Sequence, residues 1–365
     1  MKIMTIIGTR PEIIRLSLII RKLDQFADQH ILVHTGQNYD EKLSEIFFEQ
    51  LNVRMPDYHI KLSRYSIGAQ IGEIFTEVEK LILKLKPDKL LVLGDTNSAL
   101  CAFIGERYGI PVYHMEAGNR CFDNSVPEEI NRRVIDSIAS FNLPYTNIAK
   151  ENLEREGMHP QRIWVSGNPI YEVMNHFSED ISKRNVLDTL NVKSQSFILV
   201  TAHRAENVDV KERLQHIVAA LKSLANTYQM PIICSVHPRT RDRLQKFGIQ
   251  NDETLLKFCE PFGFFDFIRL QQHAKCVITD SGTVQEESCI LRVPSVTIRN
   301  STERPETVMC GSNVVSGLEA ERIVKAAELM MQAKTDWELP EGYADPNVSD
   351  KIVHFILGGL RHVTY

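Results

Sequence analysis

The chain has 365 residues, of which 43% are hydrophobic and 24% charged, an ordinary globular composition long enough for two α/β domains. A net charge of −5 without a basic stripe argues against a polyanion-binding surface, so no nucleic acid is expected as a partner. Seven cysteines show no CxxC pair and no His/Cys cluster at zinc spacing, which argues against a disulfide framework and a structural metal. The apolar start Met1–Gly8 lacks the length and cleavage site of a secretory signal, and no apolar run approaches a membrane span. A cytoplasmic protein with no membrane partner is expected.

Short apolar runs at Ile3–Ile7, Ile31–Thr35, Lys89–Leu93 and Pro111–Met115 are each followed by a loop and a helical stretch. That rhythm is βαβ and predicts a parallel sheet. It restarts at Phe197–Thr201 and continues through Ile232–Val236, Leu256–Phe258, Cys276–Thr279 and Ser295–Ile298, with amphipathic runs such as Glu212–Thr227 between. The expected fold class is α/β, two Rossmann-like doubly wound domains facing a cleft. The polar stretch Ser178–Ser196 has no strand pattern, which places the connection there or slightly earlier, near Asn168-Pro169. The predicted domains are therefore 1–170 and 171–346, with a last helix in 347–365.

Three groups of residues could carry chemistry. The first βα turn, Gly8-Thr9-Arg10-Pro11-Glu12, enters a helix through proline, so exposed N–H groups and Arg10 would suit an anion. A plain tight turn with a surface arginine accounts for the same residues. The turn is not GxGxxG and no acidic residue closes the second strand, so a nicotinamide cofactor is not expected. In the second half, Asp280-Ser281-Gly282-Thr283 again leads from strand to helix. Ser281, Gly282 and Thr283 would offer N–H and hydroxyl donors to a phosphate, with Glu287 one turn inside at ribose reach and Arg304 adding charge after a later strand. A capped helix start is the plainer account. Two anion-suited turns on facing domains predict a diphosphate across the cleft.

The third group is acidic. Asp95 follows one strand in Gly94-Asp95-Thr96-Asn97, and Glu116 follows the next in His114-Met115-Glu116-Ala117-Gly118. Glu128-Glu129 opens a helix that continues Ile130-Asn131-Arg132-Arg133. Each carboxylate alone reads as a cap or a surface charge, but together Asp95, Glu116 and Glu128 suit an acid and a base whose pKa values are pushed apart. No GxSxG or Cys–His pattern indicates a nucleophile. His203-Arg204 and His237-Pro238-Arg239 end successive strands and add basic groups at the same rim, with His203 suited to a phosphate or sugar hydroxyl.

In order and spacing, Gly8-Thr-Arg-Pro-Glu12, Gly94-Asp-Thr96, His114-Met-Glu-Ala-Gly118, Pro127-Glu-Glu-Ile-Asn-Arg132, Asp280-Ser-Gly282 and Thr302-Glu-Arg-Pro-Glu306 together resemble the non-hydrolysing UDP-N-acetylglucosamine 2-epimerase family. The resemblance implies a GT-B type fold, a final helix packing back on the first domain, a homodimer, a UDP-N-acetylhexosamine substrate and no cofactor. It implies Arg10, Arg15, Arg132, His203, Ser281, Gly282, Thr283, Glu287 and Arg304 as substrate-binding residues, and Asp95, Glu116 and Glu128, with His203, as the catalytic set. It further implies loss of the C2 proton, expulsion of UDP, a 2-acetamidoglycal, and re-addition of UDP, in the supply of surface-polysaccharide precursors such as capsule or O-antigen.

Three departures point to a subgroup. Arg15 stands where the family usually has lysine, and arginine is electrostatic here because it does not give up its proton. Gly36-Gln37-Asn38-Tyr39-Asp40 replaces a Gln-His-Arg pattern that serves an activating second substrate, and Asn119-Arg-Cys-Phe-Asp123 also differs. These variants look like the enzymes that make UDP-N-acetyl-L-fucosamine from the 6-deoxy-L-talose compound. The alternatives kept open are UDP-GlcNAc/UDP-ManNAc 2-epimerisation, a hydrolysing epimerase, a GT-B glycosyltransferase and a UDP-sugar sensor.

Overall fold

The computed structural model describes residues 1–37, 41–63, 66–249 and 254–358, with no side-chain description for 41–44. The chain divides into two compact units, Met1–His176 with Glu341–Tyr365, and Phe177–Pro340.

The first unit is built on six strands: β1 (Lys2–Ile7), β2 (Gln29–His34), β3 (Tyr58–His59), β4 (Lys89–Leu93), β5 (Val112–Met115) and β6 (Phe141–Leu143). They lie in the order β3-β2-β1-β4-β5-β6, all parallel. The second unit has β7 (Ile198–Thr201), β8 (Ile232–Ser235), β9 (Leu256–Cys259), β10 (Cys276–Thr279), β11 (Ser295–Thr297) and β12 (Asn313–Val315). Its order, β12-β11-β10-β7-β8-β9, is again parallel throughout and repeats the first unit's connectivity. Both are α/β doubly wound sheets in Rossmann order, whose winding reverses between β1 and β4 and between β7 and β10. Ligands of such sheets bind beyond the carboxyl ends of the strands at that reversal.

The strands read as continuous apolar runs because helices cover both faces. In β7, Ile198 and Val200 enter one buried cluster with Ile232, Cys234 and Ile278, while Leu199 joins Phe197, Ile233 and Val277 on the opposite face. The edge strands β3, β6 and β12 carry no apolar run in the sequence that marks them as strands; two or three residues are too few to show a period. The units divide after His176, between Asn168-Pro169 and Ser178–Ser196, and Ser178–Ser196 forms helices Ser178–Ser182 and Val186–Leu190 within the second unit. Ile181 and Val186 are buried there, and Arg184 holds Asp266 at 2.7 Å.

After Pro340 the chain rejoins the first unit. The Gly342 carbonyl accepts the Asn168 N–H at 2.8 Å, and the Val348–Gly358 helix packs along the Arg10–Phe26 helix. Phe355 stacks on Trp164 at 4.7 Å and meets Tyr113 and Phe141 edge-on. Residues 359–365 of the expected terminal helix lie outside the described residues. No helix among the described residues is long and apolar enough to cross a membrane.

Phe355→Ala removes three ring contacts from a half-buried position. It should lower the unfolding free energy of the first unit by about 2 kcal/mol, less than the loss at a fully buried phenylalanine; the urea unfolding midpoint checks this.

Candidate active site

In the first unit the candidate residues lie on the loops and helices that follow β1, β4 and β5 at their carboxyl ends. Thr9 caps the Arg10–Phe26 helix with φ −139° and ψ 161°, and Pro11 fits the first turn. Glu12 closes a capping box: its Oε2 accepts the N–H of Gly8 at 2.7 Å and of Thr9 at 2.6 Å, and its Oε1 accepts the Thr96 hydroxyl at 2.9 Å. The N–H groups of Gly8 and Thr9, just before the helix, are therefore taken by the chain's own carboxylate. Arg10 lies over the Phe47 ring at 5.7 Å. Glu12 was not singled out in the sequence, although Thr9-x-x-Glu12 is the spacing of a capping box and would have found it.

Asp95 and Glu116 occupy the next two loops. The Arg132 guanidinium holds Asp95 Oδ2 at 2.6 and 3.0 Å, and the Asn131 amide donates to the Asp95 carbonyl at 2.9 Å. Glu116 is buried and pairs with the buried Arg15, which also lies over the Tyr145 ring at 5.6 Å. Its backbone is left-handed, φ 65°, a conformation uncommon outside glycine and concentrated at functional sites. Gly94, at φ +71°, turns close beside it: a Cβ built there would stand 3.8 Å from Glu116 Oε2. The Asp95 and Glu116 loops are thus neighbours in one crevice.

Behind them runs a buried chain of charge. His114 approaches the Gly94 carbonyl through Nε2 at 2.8 Å and Asp136 through Nδ1 at 2.9 Å; Arg120 reaches Asp136 at 2.7 Å and Glu156 at 2.9 Å. Burial works against charge on Asp136, but His114 and Arg120 bring its carboxyl below the usual carboxylate range. Of the Glu128-Glu129 pair, Glu129 is the buried member. It accepts the Cys121 N–H at 3.0 Å and pairs with Arg132 and Arg133 at 3.1 Å, fixing the Asn119–Asp123 loop. Burial opposes its charge too, and these partners outweigh that effect and lower its pKa. Glu128 is half-buried in the first turn of the same Pro127–Ile138 helix, one turn before Arg132. Phe122 stands 71% exposed on that loop at φ 56°. Of the Gly36–Asp40 departure, Asn38, Tyr39 and Asp40 lie outside the described residues; Gln37 accepts the Ser98 N–H at 3.0 Å.

The second unit builds its own crevice at β7 and β10. Asp280 is fully buried and accepts the N–H groups of His203 at 3.0 Å and Arg204 at 2.9 Å, and the Asn207 amide at 3.0 Å. It thereby fixes the loop that exposes His203, whose Nδ1 is 3.3 Å from Asp280 and whose ring lies 6.4 Å from that of His237. Ser281 caps the Gly282–Ile290 helix, and its N–H donates to the Thr279 hydroxyl at 3.0 Å. Gly282 and Thr283 form the first turn, with Glu287 buried further along. A Cβ at Gly282 would come within 2.6 Å of Glu303 Oε1 and 3.5 Å of the Arg304 guanidinium carbon, so this helix start, Glu303 and Arg304 are in contact range. Arg304 is buried and paired with Glu286; Glu303 bridges Arg299 at 2.7 Å and Arg204 at 3.3 Å.

Chemically, the first unit offers Asp95 and Glu116 on adjoining loops, each held by a buried guanidinium group, and Glu128 in the first turn of the Pro127–Ile138 helix. The second offers a glycine-tight helix start with a histidine and an arginine beside it, a setting suited to phosphate oxygens.

A family model described as UDP-N-acetylglucosamine 2-epimerase matches residues 21–357. The chain is 43% identical over 349 residues, 94% of its length and 95% of the relative's, to a UDP-N-acetylglucosamine 2-epimerase of Methanocaldococcus jannaschii. It is 36% identical over 358 residues, 98% of its length and 99% of the relative's, to a UDP-2,3-diacetamido-2,3-dideoxy-D-glucuronate 2-epimerase of Pseudomonas aeruginosa. A crystal structure of the M. jannaschii enzyme in complex with UDP-GlcNAc and UDP superposes with a TM-score of 0.94 at 42% identity, covering 98% of this chain and 100% of that one.

Glu12 supplies a pH test. Burial pushes its carboxyl up to about 7, against hydrogen bonds from Gly8, Thr96 and Thr9 that act to lower it. The native state then holds a proton that an unfolded glutamate releases near 4.5, so unfolding free energy falls as pH rises from 4.5 to about 7. His34, pushed down to about 4 by burial and by His59, contributes with the opposite sign below its ordinary 6.5. Comparison with Glu12→Gln isolates the glutamate. The stability of wild type relative to the variant should fall between pH 5 and pH 7.5 by up to about 3 kcal/mol, measured from urea midpoints at each pH.

Proposed function

The chain belongs to the UDP-N-acetylglucosamine 2-epimerase family and is a UDP-sugar 2-epimerase, and on that premise we propose a reaction, a set of acting residues and a sugar. UDP is held by the second unit, with its diphosphate at the Ser281-Gly282-Thr283 helix start beside His203 and Arg304, and with Glu287 toward the ribose. The first unit acts on the sugar of the same molecule. One carboxylate among Asp95, Glu116 and Glu128 removes the C2 proton as UDP departs from C1, leaving a 2-acetamidoglycal. A proton then returns to the opposite face of C2, and UDP adds back to C1, so neither redox chemistry nor a covalent enzyme intermediate is needed.

The observation that supports this most is the pairing of Asp95 with Arg132 and of buried Glu116 with Arg15 on the adjoining loops after β4 and β5. A weakly acidic C–H requires a positioned base on one face and an acid on the other. Fixed guanidinium groups hold both carboxylates in place without giving up protons. Departing UDP needs cations and oriented donors, which is the role assigned to His203, Arg304, Arg10 and the Gly282 helix start. A homodimer and a place in surface-polysaccharide precursor supply belong to the same reading.

For the sugar, we propose conversion of UDP-2-acetamido-2,6-dideoxy-L-talose to UDP-N-acetyl-L-fucosamine. Arg15 in place of lysine and the Asn119–Asp123 loop support it, and the exposed Phe122 ring on that loop offers apolar surface suited to a C6 methyl group. The second reading, UDP-GlcNAc/UDP-ManNAc epimerisation, is favoured by the 43% identical relative, a UDP-N-acetylglucosamine 2-epimerase.

Asp95→Asn, Glu116→Gln and Glu128→Gln keep shape and remove ionisation. Each should lower turnover by about 10²-fold or more with little change in UDP affinity; near-wild-type turnover in all three would overturn the acid/base assignment. Incubation with each UDP-sugar in D2O, followed by mass spectrometry, reads reaction and substrate together. Deuterium at C2 with faster turnover of the 6-deoxy-L-sugar is expected. Efficient turnover of UDP-GlcNAc with sigmoidal dependence on its concentration would establish the second reading.

A further inference from the structure

Two helices of the second unit begin at candidate ligand residues and end at cysteines. Gly282–Ile290 starts after Ser281 and carries Cys289 in its last turn; Pro305–Met309 starts after Arg304 and is followed by its C-cap, Cys310. The two sulfur atoms stand 3.7 Å apart, within hydrogen-bond range and short of a bond. Cys289 is buried, whereas Cys310 is half-exposed. Cys310 Sγ also lies 3.3 Å from the Ser312 hydroxyl and 3.5 Å from the Thr307 carbonyl.

We propose that Cys289 and Cys310 form a redox-modification site, at which a peroxide converts the dithiol to an intramolecular disulfide that weakens the hold of the Gly282–Ile290 helix on a diphosphate. The second clause rests on the reading that this helix start binds UDP.

The chemistry balances on these two residues and one peroxide. The Cys310 thiolate attacks the peroxide oxygen, the O–O bond breaks, and a sulfenic acid forms with release of one water or alcohol. Cys289 sulfur then displaces the sulfenic oxygen, the S–S bond forms, and a second water leaves with the thiol proton. Both sulfurs are oxidised and the peroxide is reduced by two electrons.

Cys310 is the thiol set up to react. The Cys289 S–H beside it and the Ser312 hydroxyl hold its pKa below the ordinary thiol value, while the same contact holds Cys289 protonated. The other half-exposed thiols, Cys121 and Cys259, are pushed the opposite way by burial. Closing the pair requires the sulfurs to move from 3.7 Å to about 2.05 Å. Every residue of the Gly282–Ile290 helix except Thr283 is buried, so displacement at Cys289 is carried along a packed rod to Gly282.

The test treats full-length protein with one equivalent of hydrogen peroxide. Peptide mapping should show a Cys289–Cys310 crosslink that dithiothreitol reverses and that Cys310→Ser and Cys289→Ser each abolish. Trp337, whose indole N–H donates to the Cys289 carbonyl at 3.1 Å, should report the closure as a change in fluorescence absent from both variants. UDP affinity of the oxidised protein should fall threefold or more and recover on reduction. A crosslink elsewhere, or Cys310 recovered as an unlinked thiol or sulfinic acid, overturns the site. Equal UDP affinity in the crosslinked and reduced forms overturns the coupling. Reduced protein that fails to bind UDP instead overturns the reading of the helix start as the UDP site, whatever the crosslink map shows.

Discussion

A carboxylate taken out of water must find compensating charge, and the candidate active site is organised by that requirement. Arg15 and Glu116 are both buried in the first unit, and removing either would strand the other, a change far more costly than the net value of the pair. Arg15 can reach Glu116 because it is fixed on a helix whose start is closed by Glu12, and Glu12 also ties that start to Thr96 in the loop carrying Asp95. Arg132 secures Asp95 from the other side while anchoring Glu129, which holds the Asn119–Asp123 loop. The residues assigned to chemistry are therefore constrained by others that need touch no substrate.

The second unit solves a similar problem with one anion. Buried Asp280 receives donors from three residues that follow β7, and so joins the loops at the point where the winding of the sheet reverses. The geometry of His203 and of the Gly282 helix start depends on it. Asp280 serves as an internal substitute for the solvent that would otherwise satisfy those N–H groups.

Much of this organisation was legible in the sequence. Central strands such as β1, β4, β7 and β10 announce themselves as apolar runs ending in glycine or small polar residues, and Asp95, Glu116 and Ser281 follow directly from counting past them. The edge strands were not legible, because Tyr58–His59 or Phe141–Leu143 is shorter than the period that identifies a strand. Nor was the division of labour between adjacent carboxylates, since Glu128 and Glu129 differ only in which side of a helix each faces. The sequence shows potential donors at Gly8 and Thr9, but it does not show that Glu12 folds back to take them.

The return of the chain after Pro340 orders the synthesis of the molecule in time. Residues 341–358 complete the first unit, although the whole of the second unit is translated before them. A ribosome therefore releases a finished second sheet while the Arg10–Phe26 helix still lacks the partner that will cover it. During that interval the ring surfaces of Tyr113, Phe141 and Trp164 that later receive Phe355 are open to water and to other nascent chains. The last helix thus acts as a closing step for the half of the protein made first, and truncations there are felt by residues translated some two hundred positions earlier.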